Sequence, residues 1–253
     1  MRKIFLVCAM AIMCLGQVSA QDFERGIFNH LGANVSVGTE GVGLGIAAPC
    51  TDYLELGFGI NFFPNVKVNG DVSIGAIVTN VGYTIPASKV KVEGAMARTM
   101  MDFKVNAYPF GSKNAFFVAA GFSFGGKKMF DLSGHSDAIA DAIRLYPELE
   151  NHIYAEIDKY DVHFDKDGNV KGDVRVKDFR PYLGLGYGRL IPKNRVGFRF
   201  EMGVQFMGKM KVYQNDSEVD TNDLNKADDD LSKWIDKLTV YPVMKFTLTG
   251  RIF

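Results

Sequence analysis

The stretch VGFRFEMGVQF, residues 196–206, carries the pattern that decides the fold. Every second residue from Val196 to Phe206 is apolar, and the residues between them are glycine or polar, including Arg199 and Glu201. Because successive side chains of a β-strand point to opposite faces, this spacing predicts a strand with one apolar face and one polar face.

Seven further stretches repeat this period of two. They lie at residues 31–37, 42–46, 54–62, 101–107, 116–124, 183–188 and 244–252. The sequence therefore predicts eight strands. Aromatic residues are concentrated on the apolar faces, at Phe58, Phe103, Phe122, Phe198, Phe200 and Phe246.

The connections between these strands indicate how the sheet is arranged. Three connections are long, residues 63–97, 126–179 and 208–239, and from the second connection onward short and long strictly alternate. Outer-membrane barrels have this asymmetry, with short periplasmic turns and long extracellular loops. A soluble β-sandwich also alternates apolar and polar residues, but it gives no reason for every long insertion to fall on one edge. The pattern favours an all-β, eight-stranded antiparallel transmembrane β-barrel in the outer membrane.

The N-terminal segment, residues 1–20, has the features of a secretory signal peptide. A positively charged start and an apolar run at residues 4–15 precede the small-residue site Val18-Ser19-Ala20. The alternative, an N-terminal membrane anchor, needs about 20 apolar residues to span a bilayer. We expect a single barrel domain at residues 21–253, in which Cys50 is the one cysteine and makes no intramolecular disulfide.

The composition excludes two classes of protein. Lys and Arg together number 29, as do Asp and Glu, so there is no basic excess to neutralise a phosphate backbone. Nucleic acid is therefore not expected as a partner. Apolar residues make up 47% of the chain, which is enough to bury a core and excludes disorder.

The polar faces of the predicted strands carry charges that a barrel would enclose. The acids are Glu55, Asp102 and Glu201, and the bases are Lys104, Arg199, Lys245 and Arg251. An eight-stranded barrel has an interior just wide enough for side chains to fill. Unpaired charges are costly there, so opposite signs are expected to pair. Two roles remain open for this charge network: a structural salt-bridge plug or a selectivity filter.

The long connections contain helical patterns. Ser136 is a suitable N-cap for a helix over Asp137–Tyr146. A second predicted helix begins at Pro147 and includes Leu149, Ile153 and Ile157. A third amphipathic pattern covers residues 224–238 and contains Trp234. These helices could cap the barrel rim, lie on the membrane surface or bind a partner.

The sequence contains no recognisable catalytic constellation. Residues 165–169, DKDGN, begin like a calcium loop, but Val170 and Val176 stand where that template requires Gly and Glu. Asp-Gly between alternating segments predicts a β-hairpin there instead. The four histidines match no short metal-ligand spacing, and no nucleophile motif or phosphate loop occurs. We therefore expect no enzyme activity, metal or cofactor.

Several stretches together point to a family. They are the signal peptide, the early strand at 31–37, the glycine-rich PYLGLGYG at 181–188, the run YPVM at 241–244 and the terminal Phe253. In combination they resemble the small Gram-negative outer-membrane β-barrel proteins, the porin-like and outer-membrane-protein-A-like group. The resemblance implies a lipid environment and a terminal aromatic residue that the barrel assembly machinery reads, and Phe253 matches that role.

The phase of the C-terminal strand departs from this family pattern. Phe253 does not share the face of Phe246, Leu248 and Ile252. Either a bulge near the end restores the phase, or the face assignment of this strand is wrong.

The expected function follows from the size of the long connections, which make up about half of the chain after residue 20. We expect a non-enzymatic barrel with a structural role or with an extracellular ligand or protein bound at the long loops. The alternative is a narrow porin-like channel for small solutes. A membrane-embedded enzyme is the weakest of the three.

Overall fold

The computed structural model describes residues 24–74, 77–78, 84–86, 88–147, 154–157, 160–214, 217–218 and 239–253. The predicted signal peptide and the third predicted helix, at residues 224–238, lie outside these ranges. No helix within the described ranges is long and apolar enough to cross a membrane.

The described residues form sixteen strands, one α-helix and a 3-10 turn at Gly111–Lys113. The strands are β1 (Gly32–Gly38), β2 (Gly41–Thr51), β3 (Leu54–Ile74), β4 (Ile77–Val78), β5 (Thr84–Ile85), β6 (Ser88–Ala107), β7 (Phe116–Phe124), β8 (Lys128–His135), β9 (Tyr154–Ile157), β10 (Tyr160–His163), β11 (Asn169–Arg175), β12 (Phe179–Tyr187), β13 (Val196–Phe206), β14 (Lys211–Gln214), β15 (Ser217–Glu218) and β16 (Val240–Arg251). The helix is α1 (Asp137–Leu145).

Eight of these strands close into an antiparallel ring. The order around the ring is β1, β2, β3, β6, β7, β12, β13 and β16. The ring closes where β16 pairs with β1, in a register that runs from Gly32 opposite Arg251 to Gly38 opposite Lys245. The predicted eight-stranded antiparallel barrel is confirmed, because every strand expected from the period of two is a member of this ring.

The two faces of the ring have opposite chemistry. On β13, Phe198 is 81% exposed on the outside, whereas Arg199 and Glu201 are each 3% exposed on the inside. On β16, Phe246 and Leu248 face outward and Lys245 inward. An apolar outer belt around a closed sheet is the arrangement that a bilayer requires, because the ring leaves no strand edge unpaired in hydrocarbon.

The long connections are not plain loops. Strands β3 and β6 have 21 and 20 residues, more than the 9–11 that cross a bilayer, so they continue as a hairpin beyond the ring. The pairing of β3 with β6 shifts register between Phe63 and Val66 of β3. Beyond this shift, β6 also pairs with β8, β8 with β11, β11 with β14, and β14 with β15. We call this layer, from the far half of β3 to β15, the outer sheet. The expectation that residues 63–97 form a loop was wrong, since most of them are strand.

Helix α1 packs against the outer sheet. The Ser136 hydroxyl accepts a hydrogen bond from the Ile139 amide, so the expected cap is present, and the helix ends at Leu145, one residue before the predicted end. Its buried face contributes to a small apolar core made of Ile85, Val90, Ile139, Ala142, Ile143 and Phe164. The helix therefore lies on the outer sheet, away from the lipid-facing belt of the ring.

Two other local expectations fail. The second predicted helix is contradicted at Ile157, which ends strand β9 and pairs with Tyr160 of β10, while Leu149 and Ile153 lie outside the described residues. The turn at 165–169 forms, with Gly168 at φ 70°, but the strand after it pairs with β8 and β14 instead of with the segment before the turn. The hairpin was predicted from neighbouring residues alone. In the structure, the strand after the turn pairs instead with segments that are distant in the chain.

The C-terminal phase problem has a simple structural answer. Strand β16 ends at Arg251, and the Ile252 amide donates to the Leu31 carbonyl at 2.8 Å beyond the strand. Phe253 is 64% exposed. Ile252 is 53% exposed as well, so the alternation of β16 does not continue beyond Arg251 and no change of face within the strand is needed.

Candidate functional site in the barrel interior

The interior of the ring contains six of the seven charged residues singled out in the sequence. Glu55, Asp102, Lys104, Arg199, Glu201 and Lys245 are all buried. The seventh, Arg251, is half-buried at the last position of β16. The strand period brings the six together, because each occupies an inward position on β3, β6, β13 or β16.

Glu201 is the centre of the network. Its Oε1 accepts from Lys104 Nζ at 2.7 Å and from the Tyr182 hydroxyl at 2.6 Å, and its Oε2 accepts from Arg199 Nη2 at 2.7 Å. The Lys104 ammonium also lies 3.8 Å from the centroid of the Tyr182 ring. A carboxylate with three such donors has the compensation that a buried charge requires.

A second cluster surrounds Asp102 toward the long-connection end. Asp102 accepts from Asn61 at 2.6 Å, from Ser123 at 2.6 Å and from Lys245 at 3.1 Å. Lys245 also forms an ion pair with Glu40. Lys104 lies 4.0 Å from Asp102, so this cluster adjoins the one around Glu201.

A third cluster closes the short-turn end. Glu55, with no exposed surface, accepts from the Tyr108 hydroxyl at 2.8 Å, from the Leu190 amide at 3.0 Å and from Arg189 at 3.2 Å. The Arg25 guanidinium lies 3.5 Å from the same carboxylate. Arg189 also donates to backbone carbonyls of the turns, at Asp52 and Gly111.

Tyr108 connects the cluster around Glu201 to the cluster around Glu55 at the short-turn end. Arg199 Nη1 donates to the Tyr108 oxygen at 3.1 Å, and the same hydroxyl donates to Glu55. Polar contacts therefore run without a break from Glu40 near one end of the ring to Arg189 near the other. Side chains, and not an open water column, occupy this axis.

One wall of the interior is formed by small residues. The inward positions of β1 to β3 include Asn34, Ser36, Gly57 and Gly59, and a cavity of about 50 Å³ lies between this wall and the charged side chains. A Cβ at Gly57 would lie 3.0 Å from the Leu190 Cδ1, so a larger residue here would push the Leu190 side chain aside. The cavity is sufficient for about one or two water molecules and is far smaller than a solute path.

Sequence reasoning missed several members of the network. Tyr108 and Tyr182 share the inward phase of Lys104 and Gly184, so the period of two already contained the signal for them. Arg25 and Arg189 lie outside the ring strands and Glu40 lies in the β1–β2 turn, where alternation gives no information.

Within the part of the chain that the structure describes, no group of three or more His, Cys, Asp or Glu side chains is arranged to hold a metal ion. His135 lies outside the ring at the end of β8, where Asn169 and Asp137 contact its two ring nitrogens.

Comparison with solved structures agrees with this architecture. The crystal structure of Acinetobacter baumannii CarO2 matches with a TM-score of 0.50 and 23% identity, over 88% of this chain and 98% of that chain. Acinetobacter baumannii CarO matches with a TM-score of 0.48 and 21% identity, over 89% of this chain and 99% of that chain. No protein-family model and no curated protein sequence matches the chain.

The closed ring, its apolar outer belt and the likeness to CarO2 give this chain the fold of an outer-membrane β-barrel protein. This is the fold that the sequence predicted, and the apolar outer belt is the surface that such a fold presents to a bilayer. The likeness shows the fold; the role of the barrel has to be argued from its interior and its outer sheet.

Proposed function

We propose that the protein is a closed, non-enzymatic outer-membrane barrel that presents its outer sheet as a binding surface for an extracellular ligand or protein. The observation that carries this proposal is the combination of a ring interior filled by paired charges with long connections folded into a sheet of their own. The interior supports a structural role, and the outer sheet supplies the surface.

The filled interior favours a barrel that does not conduct. Opening a path past Glu201 would separate it from Lys104, Arg199 or Tyr182. Breaking one partner of a buried pair costs about 3–5 kcal/mol. A barrel held closed by several such contacts is therefore expected to remain closed at rest.

The outer sheet is well suited to present a surface away from the membrane. Nine residues of β3 beyond the ring, 66–74, extend about 30 Å at roughly 3.3 Å per residue. Exposed ion pairs lie on it, such as Lys67 with Glu93 at 2.8 Å and Lys211 with Glu218 at 2.8 Å. An exposed, charged face outside the membrane is accessible to a soluble partner.

The orientation in the membrane and the assembly route belong to the same proposal. Short turns on the periplasmic side and long connections outside are the usual arrangement of such barrels. This orientation exposes the outer sheet to the medium. Phe253, exposed beyond the last strand, is available to the barrel assembly machinery, and outer-membrane lipid surrounds the belt.

Planar-bilayer recording of the purified, refolded full chain tests the closed barrel. We expect no steady conductance from protein whose heat-modifiable migration shows that it is folded. The Glu201→Ala/Arg199→Ala double variant, folded by the same criterion, should show conductance because it removes the central contacts. Steady conductance of the unaltered chain, reproducible between preparations, would refute the closed barrel.

A narrow channel for small solutes is the second candidate, and it would require the cavity beside the small-residue wall to widen. If that cavity widens into a path, conductance of the unaltered chain should fall when small solutes are added. The same recording therefore decides between the two candidates.

A further inference from the structure

The charges inside the ring do not balance. Among the described residues, six buried cations are found there with four buried acids, and the partly exposed Asp52 also pairs with Arg25 at 3.6 Å. The cations are Arg25, Lys104, Arg180, Arg189, Arg199 and Lys245, and the acids are Glu40, Glu55, Asp102 and Glu201. Because buried charge is stable only when compensated, the excess of cations indicates where a negative group is required.

Arg180 is the clearest case of missing compensation. Its side chain is 1% exposed, its Nη1 donates to the Lys177 carbonyl at 2.9 Å, and its Nη2 donates to the Gly125 carbonyl. Its Nε has no hydrogen-bond partner. Among the described residues no carboxylate forms an ion pair with it, so two neutral carbonyls are its only acceptors there.

Arg98 shows the same deficit on the neighbouring strand β6. Its guanidinium carbon lies 4.8 Å from the centroid of the Tyr241 ring and 5.7 Å from that of Phe63. Its Nη1 is directed at the Met129 sulfur, which is a weak acceptor. Within the described ranges, Arg98 also forms no ion pair with an acid.

The two arginines are neighbours at the long-connection end of the interior. The turn at Gly125 and Gly126 lies against both: the Gly125 carbonyl accepts from Arg180, and a Cβ at Gly126 would lie 3.3 Å from that of Arg98. Arg98 shares the inward phase of Asp102 and lies four residues before it, toward the outer sheet. Two guanidinium groups thus face one region at the mouth of the barrel.

We infer that Arg98 and Arg180 form a binding site for a small oxyanion, a carboxylate or phosphate group, at the long-connection mouth of the barrel. Guanidinium groups match such anions because their planar N–H donors suit paired oxygens. Arg98 is partly exposed and gives access from the medium, and the free Nε of Arg180 supplies a buried donor. The apolar residues Met129 and Met207 beside the site limit water and strengthen the attraction.

This site goes beyond the proposed binding surface, because it lies in the mouth of the ring and not on the outer sheet. A competing source of negative charge exists in the same chain. Residues 228–230 are Asp-Asp-Asp and lie outside the described residues. The experiment therefore includes a variant in which these acids are removed.

Isothermal titration of the refolded full chain with sodium phosphate, against sodium chloride at equal ionic strength, tests the site. We expect saturable binding of phosphate that the chloride titration does not reproduce. Arg98→Gln should weaken it by roughly tenfold or more, since a hydrogen bond to a charged group contributes about 1.5–3 kcal/mol. Arg195→Gln, half-buried at the short-turn end, should leave binding unchanged and is the matched control.

The remaining outcomes are also decisive. Arg180→Gln serves as a second variant, used once heat-modifiable migration shows that it is folded, and should weaken phosphate binding as Arg98→Gln does. Binding that survives both substitutions would overturn the assignment. Absence of binding both in the unaltered chain and in a variant with Asp228, Asp229 and Asp230 changed to Asn would overturn it too. Binding that appears only in that variant would support the site and identify the chain's own acids as its occupant. Bilayer recording is independent of all these results, so the closed barrel is judged separately.

Discussion

Arg199 satisfies three acceptors of the barrel interior at once: Glu201, Asn106 and the Tyr108 hydroxyl. Arg199→Ala should leave all three without this donor. We expect the free energy of unfolding to fall by about 3–5 kcal/mol, less if water enters the space left behind. Urea unfolding of the refolded protein in lipid vesicles, followed by tryptophan or tyrosine fluorescence, measures the change.

Two further variants show whether this effect comes from the charge pair. Arg195→Ala removes an arginine from the short turn between β12 and β13 and should change the unfolding midpoint little. Glu201→Gln should change the midpoint less in the Arg199→Ala background than in the unaltered chain, since the contact between the two side chains is already absent there. An unchanged midpoint for Arg199→Ala would mean that water already compensates this position.

His135 gives a prediction on pH outside the membrane. Hydrogen bonds from its ring to Asn169 and Asp137 raise the pKa of His135 above its usual 6.5, because they favour the charged imidazolium. A raised folded pKa stabilises the outer sheet below pH 6.5, and this contribution is lost as pH rises through the folded value. Titration of the histidine resonances by NMR in detergent measures the pKa directly.

The substitution Asp137→Asn should lower the pKa of His135 toward 6.5. Asp141→Asn, on the exposed face of the same helix, should not. If both variants titrate like the unaltered chain, the contact between His135 and Asp137 has no role in the charge state.

Helix α1 holds the outer sheet together through its buried face. Ile139→Ala removes a fully buried side chain from the core that includes Val90 and Phe164, and should cost about 2–5 kcal/mol locally. Leu145→Ala makes a similar change at a position that is 66% exposed and should cost far less. Hydrogen exchange of the outer-sheet amides should accelerate in Ile139→Ala alone. Equal exchange in the two variants would mean that α1 does not support the sheet.

The ring strands could be predicted from the sequence, and the outer strands could not, for a physical reason. Lipid on one side and a filled interior on the other force strict alternation, as in Phe198, Arg199 and Phe200 of β13. The outer sheet has no lipid face: Lys67 and Glu93 lie on paired strands in water, and no burial constrains them. The pairing of β8 with β6 and β11 also joins segments far apart in sequence, which a local pattern does not encode.

Likewise, the members of the interior charge network that lie on ring strands could be predicted from the sequence, and those on other segments could not. Inward phase identified Lys104, Arg199 and Glu201, whereas Arg25 and Arg189 enter from segments that follow no strand period. Their positions depend on how the short-turn end folds over Glu55. A pattern read along single strands cannot place residues that only the closed ring brings together.

At the scale of the whole molecule, the ring and the outer sheet are expected to respond differently to protease, because only the ring is enclosed by lipid. Lys166 lies exposed in the turn of the outer sheet, and Lys193 lies exposed in a short turn at the opposite end of the ring. Trypsin added to intact cells should cut at Lys166 and leave Lys193 intact, if the long connections face the medium. Lys166→Gln should remove that cut, and Ile139→Ala should accelerate it, since the outer sheet opens more often when its core is weakened. Fragments ending at Lys193 from intact cells, with Lys166 preserved, would reverse the orientation and remove the outer sheet as an extracellular surface.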